Sequence, residues 1–406
     1  MNHQEQAIVI TGCGWVTPFA AGSIEAVLQA AAGRTAPSAI SEGYWPVPDQ
    51  LLEGYPDLSS ECRNDPGAWL TAVAFELARR DSSFLPGSVP AERVGLVLGN
   101  ALAGQSGMID FANDVREQSA RFVSPIRFPQ TVGNYIAGAL ARAYDVRGPN
   151  STIANGPASG LDAVVEACSL LTAGKADVVF AGGTERLTPA LAMGLAESGV
   201  MFSDGACLFV LERREHAVGR DATALATIVP LECVLEPLSP TGGSDEPTEG
   251  QTSRPRREGP GGSEGGVRGL SDALLECIPE PLSPAGGEGR VRGFQDALSV
   301  GQPGSPSSKS TRSLAGSREP GAICIEHWTG RCLGALGAAA VAAAIGAARG
   351  LPVPYVSDAD STVVAARTLT DKPCTEPRRV GRDGHVVVRA YSDGGPPTMI
   401  ELAVPP

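Results

Sequence analysis

The stretch of sequence that decides the fold runs from Ser151 to Cys168 and reads S-T-I-A-N-G-P-A-S-G-L-D-A-V-V-E-A-C. Its β-branched beginning predicts a strand over Ser151–Asn155, because such side chains favour extended backbone. The glycine and proline that follow mark a turn. Small and apolar residues then predict a helix over Ala158–Thr172. Pro157 fits the start of that helix, because a backbone N–H at this position has no hydrogen-bond partner within the helix. The pattern is therefore a strand, a sharp turn and a helix.

Short apolar runs and helical stretches alternate on both sides of this segment. Such alternation indicates an α/β fold with helices on both faces of a sheet. The low aromatic content of 5% favours small side chains packed closely between helices and sheet. The other predicted strands are Ala7–Ile10, Val94–Leu98, Ala176–Ala181, Ala206–Leu211, Ala322–Glu326, Val386–Ala390 and Met399–Val404, and the other predicted helices are Ser23–Ala32, Trp69–Arg79, Asn134–Tyr144 and Leu333–Ala348.

The charge balance and the cysteines exclude several classes of function. The 406 residues include 45 acidic and 32 basic side chains, giving a formal net charge of −13. Nucleic acid binding relies on clusters of Lys and Arg, so this balance argues against nucleic acid as a partner. The nine cysteines contain no C-x-x-C pair, so neither a zinc site nor a disulfide framework is indicated. A reduced compartment is therefore expected.

Neither the N-terminus nor the most apolar stretch predicts export or a membrane span. The first residues place no basic region ahead of an apolar run, so no signal peptide is predicted. The alanine-rich stretch Leu333–Ala348 is interrupted by glycine and is shorter than the ~20 strongly apolar residues that a span requires. We interpret it as a buried helix and expect a cytoplasmic protein.

Residues 234–319 have a different composition from the rest of the chain. Gly, Pro, Ser, Arg and Glu dominate this segment, which has too few large apolar side chains to offset chain entropy. The sequence L-E-C-V-L-E-P-L-S-P-T-G-G at Leu231 recurs as L-E-C-I-P-E-P-L-S-P-A-G-G at Leu275. We predict a disordered, low-complexity insertion, with a linear docking segment as the alternative. This divides the chain into residues 1–222, the insertion 234–319, and residues 320–406.

The strand, turn and helix resemble the nucleophile elbow of the β-ketoacyl synthases, whose pattern is close to S-T-x-C-x-S-G-L-D-A. Further resemblances follow in the family's order: V-I-T-G-C-G-W-V-T-P, A-D-V-V-F-A-G-G-T-E, C-L-F-V-L-E-R-R-E-H-A and T-G-R-C-L-G-A-L-G-A. Together they cover most of residues 7–222 and 322–404. The resemblance implies a thiolase-like fold, five αβαβα layers built from two related halves. It also implies a dimer in which Ser151–Asn155 pairs across the two-fold axis.

The chain departs from this family at the residues that carry the chemistry. Pro157 stands where the family has its cysteine, whose thiolate is favoured by the N-terminus of the following helix. None of the four histidines lies in an H-G-T-G-T motif, and Arg331 occupies the place of the second catalytic histidine. His327 lies near that place, but we expect a structural role for it. The resemblance therefore predicts that the nucleophile and histidine positions are vacant.

A subgroup of the family has comparable losses, namely the chain-length factors of type II polyketide synthases. The T-G-R sequence at Thr329–Arg331 is similar to theirs, although their usual glutamine is absent from position 157. The resemblance implies a heterodimer with an active β-ketoacyl synthase, an acyl carrier protein as partner, no bound cofactor or metal, and the carrier's acyl-phosphopantetheine as ligand. It further suggests that Met108 and Phe111 form the end wall of the partner's acyl tunnel. The alternative, which is slightly favoured, is that both residues belong to the core.

Several residues near the elbow have two interpretations. Asn155 and Ser159 flank the turn and are candidates for substrate contacts, but we expect them to cap the helix. Cys168 and Cys332 are expected to be packed, as cysteine is often buried. Arg331 either pairs with Glu326 in a buried ion pair or contacts a carboxylate at the interface or a phosphopantetheine-linked chain.

Two other functions stay open at this point. The first is an acyl carrier protein-dependent acyltransferase or decarboxylase with an altered active site, which a polar oxyanion stabiliser near Pro157 would favour. The second is a decaying homologue with no folded product, which soluble expression would exclude.

Overall fold

A computed structural model of the chain describes residues 7–32, 44–55, 60–102, 104–119, 121–188, 191–192, 202–229, 332–351, 353, 363–367, 385–390 and 398–405. The predicted insertion 234–319, the predicted strand Ala322–Glu326, and His327 and Arg331 lie outside these residues. The described parts before residue 231 and after residue 311 belong to one unit.

Most described strands form one mixed sheet. It contains β1 (Ile8–Thr17), β2 (Ala20–Gly22), β4 (Val94–Gly99), β5 (Asn150–Ile153), β6 (Val178–Glu185), β8 (Gly205–Arg213), β9 (Ala226–Val229), β10 (Val363–Arg367), β11 (His385–Ala390) and β12 (Thr398–Ala403). The strand order is β10-β11-β12-β9-β1-β8-β6-β4-β5, with β2 paired to β1. Strand β4 runs parallel to β5 and β6, and the other pairs are antiparallel. The short strands β3 (Tyr44–Trp45) and β7 (Phe202–Ser203) pair separately.

Helices cover both faces of this sheet, as predicted. They are α1 (Ile24–Ala31), α2 (Asp49–Glu53), α3 (Ser60–Arg63), α4 (Pro66–Asp81), α5 (Gln105–Gln118), α6 (Tyr135–Ala143), α7 (Ser159–Thr172), α8 (Arg214–Gly219) and α9 (Leu336–Ala348). Short 3₁₀ turns precede α7 at Gly156–Ala158 and α9 at Leu333–Ala335.

Alternate residues of the central strands belong to two separate apolar clusters. In β4, Leu96 and Leu98 pack with α4 and α6, whereas Val97 packs with α7 and α9. Helix α9 contacts β6 and β8 and also β10 and β11, which lie at the other end of the sheet. The α7 and α9 layer therefore packs against strands from both parts of this sheet.

The predicted elements differ from the observed ones mainly at their ends. Helix α4 begins at Pro66, earlier than predicted, because the Asp65 carboxylate accepts the Ala68 N–H at 2.7 Å and caps it. Strand β6 continues through A-G-G-T-E to Glu185 because it stays paired with β8 as far as Gly205. Strand β5 begins at Asn150 and ends at Ile153, two residues before the predicted end.

Helix α9 is apolar on all sides and is buried over nearly its whole length, from Leu336 to Ala347. Alanine and glycine let it approach both parts of the sheet closely. Among the described residues, no helix combines the length and apolarity needed to cross a membrane.

Strand β4 and helix α7 touch through their backbones at Gly99. A Cβ atom on Gly99 would lie 2.2 Å from the carbonyl carbon of Ser159 and 2.4 Å from the nitrogen of Gly160. We expect Gly99→Ala to lower the free energy of unfolding by about 1–3 kcal/mol or more, because backbone atoms cannot move aside. Urea denaturation followed by circular dichroism measures this change.

Gly219→Ala is the matched control. Gly219 ends α8, and nothing lies within 4 Å of the position of its Cβ atom. Its stability should stay within about 0.5 kcal/mol of wild type. Equal stabilities of the two variants would contradict the close packing at Gly99.

Candidate functional site

The turn between β5 and α7 is held by one serine hydroxyl. Gly156 has φ of +57°, a left-handed conformation that glycine adopts without strain. The Oγ atom of Ser159 accepts the N–H of Asn155 at 2.7 Å and donates to the carbonyl oxygen of Gly156 at 2.7 Å. Pro157 is buried within this turn. The elbow therefore has its complete backbone conformation, although Pro157 has no nucleophilic side-chain atom.

The predicted capping by Asn155 and Ser159 is wrong. Neither the 3₁₀ turn nor α7 has a side-chain cap, because Ser159 is itself the first residue of α7 and its hydroxyl bonds within the turn. The Asn155 amide instead donates from Nδ2 to the carboxylate of Asp162 at 2.6 Å. The other Asp162 oxygen accepts the hydroxyl of Thr398. Asp162 thus ties the elbow turn to the first residue of β12.

Four segments meet beside the elbow through glycine backbones. A Cβ atom on Gly160 would lie 2.8 Å from the carbonyl oxygen of Gly334, and one on Gly183 would lie 2.1 Å from it. A Cβ atom on Gly334 would lie 2.6 Å from the Cα of Asn100. The ends of β4 and β6, the start of α7 and the turn before α9 therefore pack on one another without side chains between them.

Sequence reasoning did not identify Glu185, which lies at the end of β6 in this cluster. Its Oε2 atom accepts the N–H groups of Ala101 at 2.9 Å, Leu102 at 3.2 Å and Gly334 at 3.3 Å. The pKa of Glu185 is raised to about 7, mainly because the side chain is buried. The charge of Asp204 also raises this pKa, and the three N–H donors offset part of the rise. The only signal in the sequence is an acidic residue that ends an apolar strand, A-G-G-T-E.

Both cysteines near the elbow are packed residues, as predicted. Cys168 lies on α7 against the apolar cluster, and burial raises its pKa to about 12. Cys332 is 4% exposed and belongs to the same cluster. A thiol with so high a pKa is a poor nucleophile, so Cys168 does not replace the missing one.

Met108 and Phe111 lie on α5, away from the apolar clusters. Met108 is 39% exposed, so the slightly favoured core role is wrong for this residue. Phe111 is half-buried, and its ring meets the edge of Phe128 with centroids 5.9 Å apart. Phe122, Phe128 and Val132 are also exposed. We call Met108, Phe122, Phe128 and Val132 the 108–132 apolar surface.

Strand β5 occupies one end of the large sheet. Its one edge pairs with β4, and no described strand pairs with the other. Residues Ser151, Thr152 and Ile153 are half-buried. An edge strand of this kind presents unpaired N–H and C=O groups to another chain.

The family model for the Beta-ketoacyl synthase, N-terminal domain matches residues 5–215. This match covers more than half of the chain. The chain belongs to the β-ketoacyl synthase family.

The chain is similar to proteins named as 3-oxoacyl-[acyl-carrier-protein] synthases and to a subunit of a polyketide synthase. The chain is 24% identical to 3-oxoacyl-[acyl-carrier-protein] synthase 2 of Rhizobium meliloti over 55% of this chain and 62% of the relative. It is 30% identical to the enzyme of the same name from Vibrio cholerae, over 37% of this chain and 42% of the relative. It is 26% identical to the tetracenomycin polyketide synthase ketoacyl synthase alpha subunit of Streptomyces glaucescens, over 56% and 62%. These matches span less than two thirds of each relative.

A solved structure confirms the thiolase-like fold. A β-ketoacyl synthase from Burkholderia phymatum superposes with a TM-score of 0.59 over 98% of this chain and 100% of that one, at 18% identity. The elbow, strand β5 and helix α7 lie within the residues that the family model matches.

The raised pKa of Glu185 predicts that the stability of the fold depends on pH. This pKa is about 7 in the folded chain against 4.5 ordinarily, so the folded chain holds the proton more tightly. The stabilisation by protonation is fully present below about pH 4.5 and is lost as the pH rises through about 7. Between about pH 5 and 8, wild type should lose up to about 3 kcal/mol relative to Glu185→Gln in urea denaturation. A difference that is independent of pH would refute this behaviour of Glu185.

Proposed function

We propose that this chain is a non-condensing β-ketoacyl synthase-like subunit of the chain-length-factor type. It pairs with an active ketosynthase in type II polyketide or fatty-acid-like biosynthesis. The observation that carries this proposal is Pro157 in a complete elbow. The left-handed Gly156, the Ser159 hydrogen bonds and the packed start of α7 are all present around it. The architecture that positions a nucleophile is retained, but the nucleophile is not.

The chemistry of condensation explains why this subunit does not act alone. A condensing enzyme first transfers an acyl group to a thiolate, and the carbon–carbon bond then forms to that thioester. Proline offers no sulfur, and Cys168 is half-buried in α7, where desolvation raises its pKa. The Ser159 hydroxyl already donates its proton to Gly156 within the turn. None of these three residues can therefore carry the acyl group.

The edge of β5 that no described strand pairs with, together with the 108–132 apolar surface, supports a partner subunit of the same fold. Helix α6 contacts both β5 and the turn at Pro125–Thr131, so one helix supports both surfaces. Large apolar side chains that are exposed to solvent in one region of a protein are typical of a protein interface. The Streptomyces glaucescens relative is named as an alpha subunit, and this supports an assembly of unlike subunits.

In this proposal the ligand is the acyl-phosphopantetheine of an acyl carrier protein, held mainly by the partner. Met108 and Phe111 would limit the depth of the partner's tunnel by steric contact. Their place on α5, outside the apolar clusters, leaves their side chains available for this contact. The acyl-carrier-protein synthases among the relatives support this class of ligand.

A carrier-protein-dependent acyltransferase or decarboxylase is the alternative. It would require a polar group near Pro157 to stabilise an oxyanion. Of the side chains next to the turn, Ser159 and Asn155 are engaged in the hydrogen bonds described above. No described contact favours this alternative over the proposed one.

The first test is turnover by the purified chain. We expect no condensation of malonyl thioesters and no acyl-enzyme in intact-protein mass spectrometry with a labelled acyl donor, because no thiolate is available at the elbow. Cys168→Ala and Cys332→Ala should leave this result unchanged. Turnover by the lone chain that survives both substitutions would contradict the non-condensing function.

The second test is pairing with a co-expressed ketosynthase. The Asn100 N–H donates to the carbonyl oxygen of Ile153 at 2.9 Å, so the backbone polar groups of Ile153 face β4. Backbone groups of successive strand residues point to opposite edges, so the N–H of Thr152 points to the edge of β5 that no described strand pairs with. Thr152→Pro should therefore abolish co-purification with the ketosynthase, while the melting temperature of the isolated chain changes little.

Ile153→Pro is the matched control for Thr152→Pro. It disturbs the β4–β5 ladder, so it should lower the melting temperature of the isolated chain. If Thr152→Pro leaves co-purification intact, strand pairing at β5 does not form the interface.

A further inference from the structure

Glu185 connects two chain segments that are distant in sequence. Ala101 and Leu102 follow β4, and Gly334 lies in the turn before α9, yet all three N–H groups converge on one carboxylate oxygen. A buried carboxylate is unfavourable unless its oxygens are hydrogen-bonded. No described cation lies within ion-pair distance of Glu185. The backbone donors are therefore its described stabilising partners.

The same two segments also meet through apolar side chains. Leu102 and Leu333 both pack against the small cluster of Leu187, Ala192 and Phe202. Leu333 has φ of +34°, a left-handed conformation that costs a non-glycine residue about 1–2 kcal/mol. Such strain persists only where the surroundings enforce it. The bond from Gly334 to Glu185 lies directly beside Leu333 and is part of that enforcement.

The start of α5 lies close to these bonds along the chain. Leu102 is followed closely by Gly104, whose φ of +77° turns the chain into α5 at Gln105. Met108 lies in the first turn of that helix. Fixing the N–H groups of Ala101 and Leu102 thus fixes the point from which α5 leaves the sheet, about one helical turn before Met108.

We infer that Glu185 is a positioning residue that sets where α5 places Met108 and Phe111, and so sets the length of the acyl chain that the complex accepts. The inference deepens the proposed function and depends on it. Glu185 acts through the backbone of residues 101–102 and does not touch the substrate. The like-charged Asp204, which Arg186 neutralises in part at 3.7 Å, is the other ionisable side chain that acts on it.

The test uses the complex with a co-expressed active ketosynthase and acyl carrier protein, and reads product lengths by mass spectrometry. Glu185→Met removes the acceptor at similar volume and should shift the main product by at least one extender unit. Glu185→Gln keeps an acceptor oxygen and should restore products close to those of wild type.

Asp204→Leu is the matched control. Asp204 is equally buried and accepts the N–H groups of Leu187 at 2.9 Å and Val47 at 3.0 Å, but none from the segments that precede α5 and α9. It should lower stability without changing product length. Wild-type lengths for Glu185→Met, or equal shifts for Asp204→Leu, would overturn the positioning role.

Met108→Trp separates this inference from the proposed function. If Met108→Trp changes the product length and Glu185→Met does not, only the role of Glu185 is wrong. If neither changes it, the chain-length function itself is wrong.

Amide hydrogen exchange covers the case in which Glu185→Met fails to fold. In the wild-type complex, the amides of Ala101 and Leu102 should be protected from exchange, because each donates to the buried carboxylate of Glu185. Exchange of both amides at the rate of exposed loop amides would overturn the inference.

Discussion

Backbone contact between glycines is the constraint on which the rest of this structure depends. At Gly99, Gly160, Gly183 and Gly334, the nearest atoms belong to the backbone of another segment, at distances no Cβ atom can tolerate. Strands β4 and β6 can therefore approach α7 and the turn before α9 without intervening side chains. This close approach also brings three N–H groups within reach of a single carboxylate, since longer side chains would hold the segments apart.

The loss of the nucleophile is compatible with this packing for a simple reason. Pro157 lies at the start of a helical turn, where the fixed φ of proline is suitable and its missing N–H leaves no hydrogen bond unmade. The hydroxyl of Ser159 and the left-handed Gly156 supply the bend. Chemistry and architecture are thus separable at this turn, and one can disappear while the other stays intact.

The sequence predicted the elements of the fold better than the details of the site. Regular patterns located β4, α6, α7 and the alanine-rich α9 to within a few residues, because apolar periodicity reports which face is buried. Helix capping was predicted wrongly for Ser159, since a hydroxyl can bond in either direction along the chain and only tertiary packing decides which. Glu185 could not be identified, because its partners are backbone groups that leave no mark on the sequence.

Helix α9 has a consequence for how the chain folds. It fills the space between strands that are encoded before residue 213 and strands encoded after residue 363, and it is buried from Leu336 to Ala347. During synthesis, more than a hundred residues are added after the earlier strands before α9 is made and can pack against them. Contacts so distant in sequence form slowly, and the open cleft exposes apolar surface in the meantime. We therefore expect chaperones to shield the apolar surface of the nascent chain until its C-terminal third has left the ribosome.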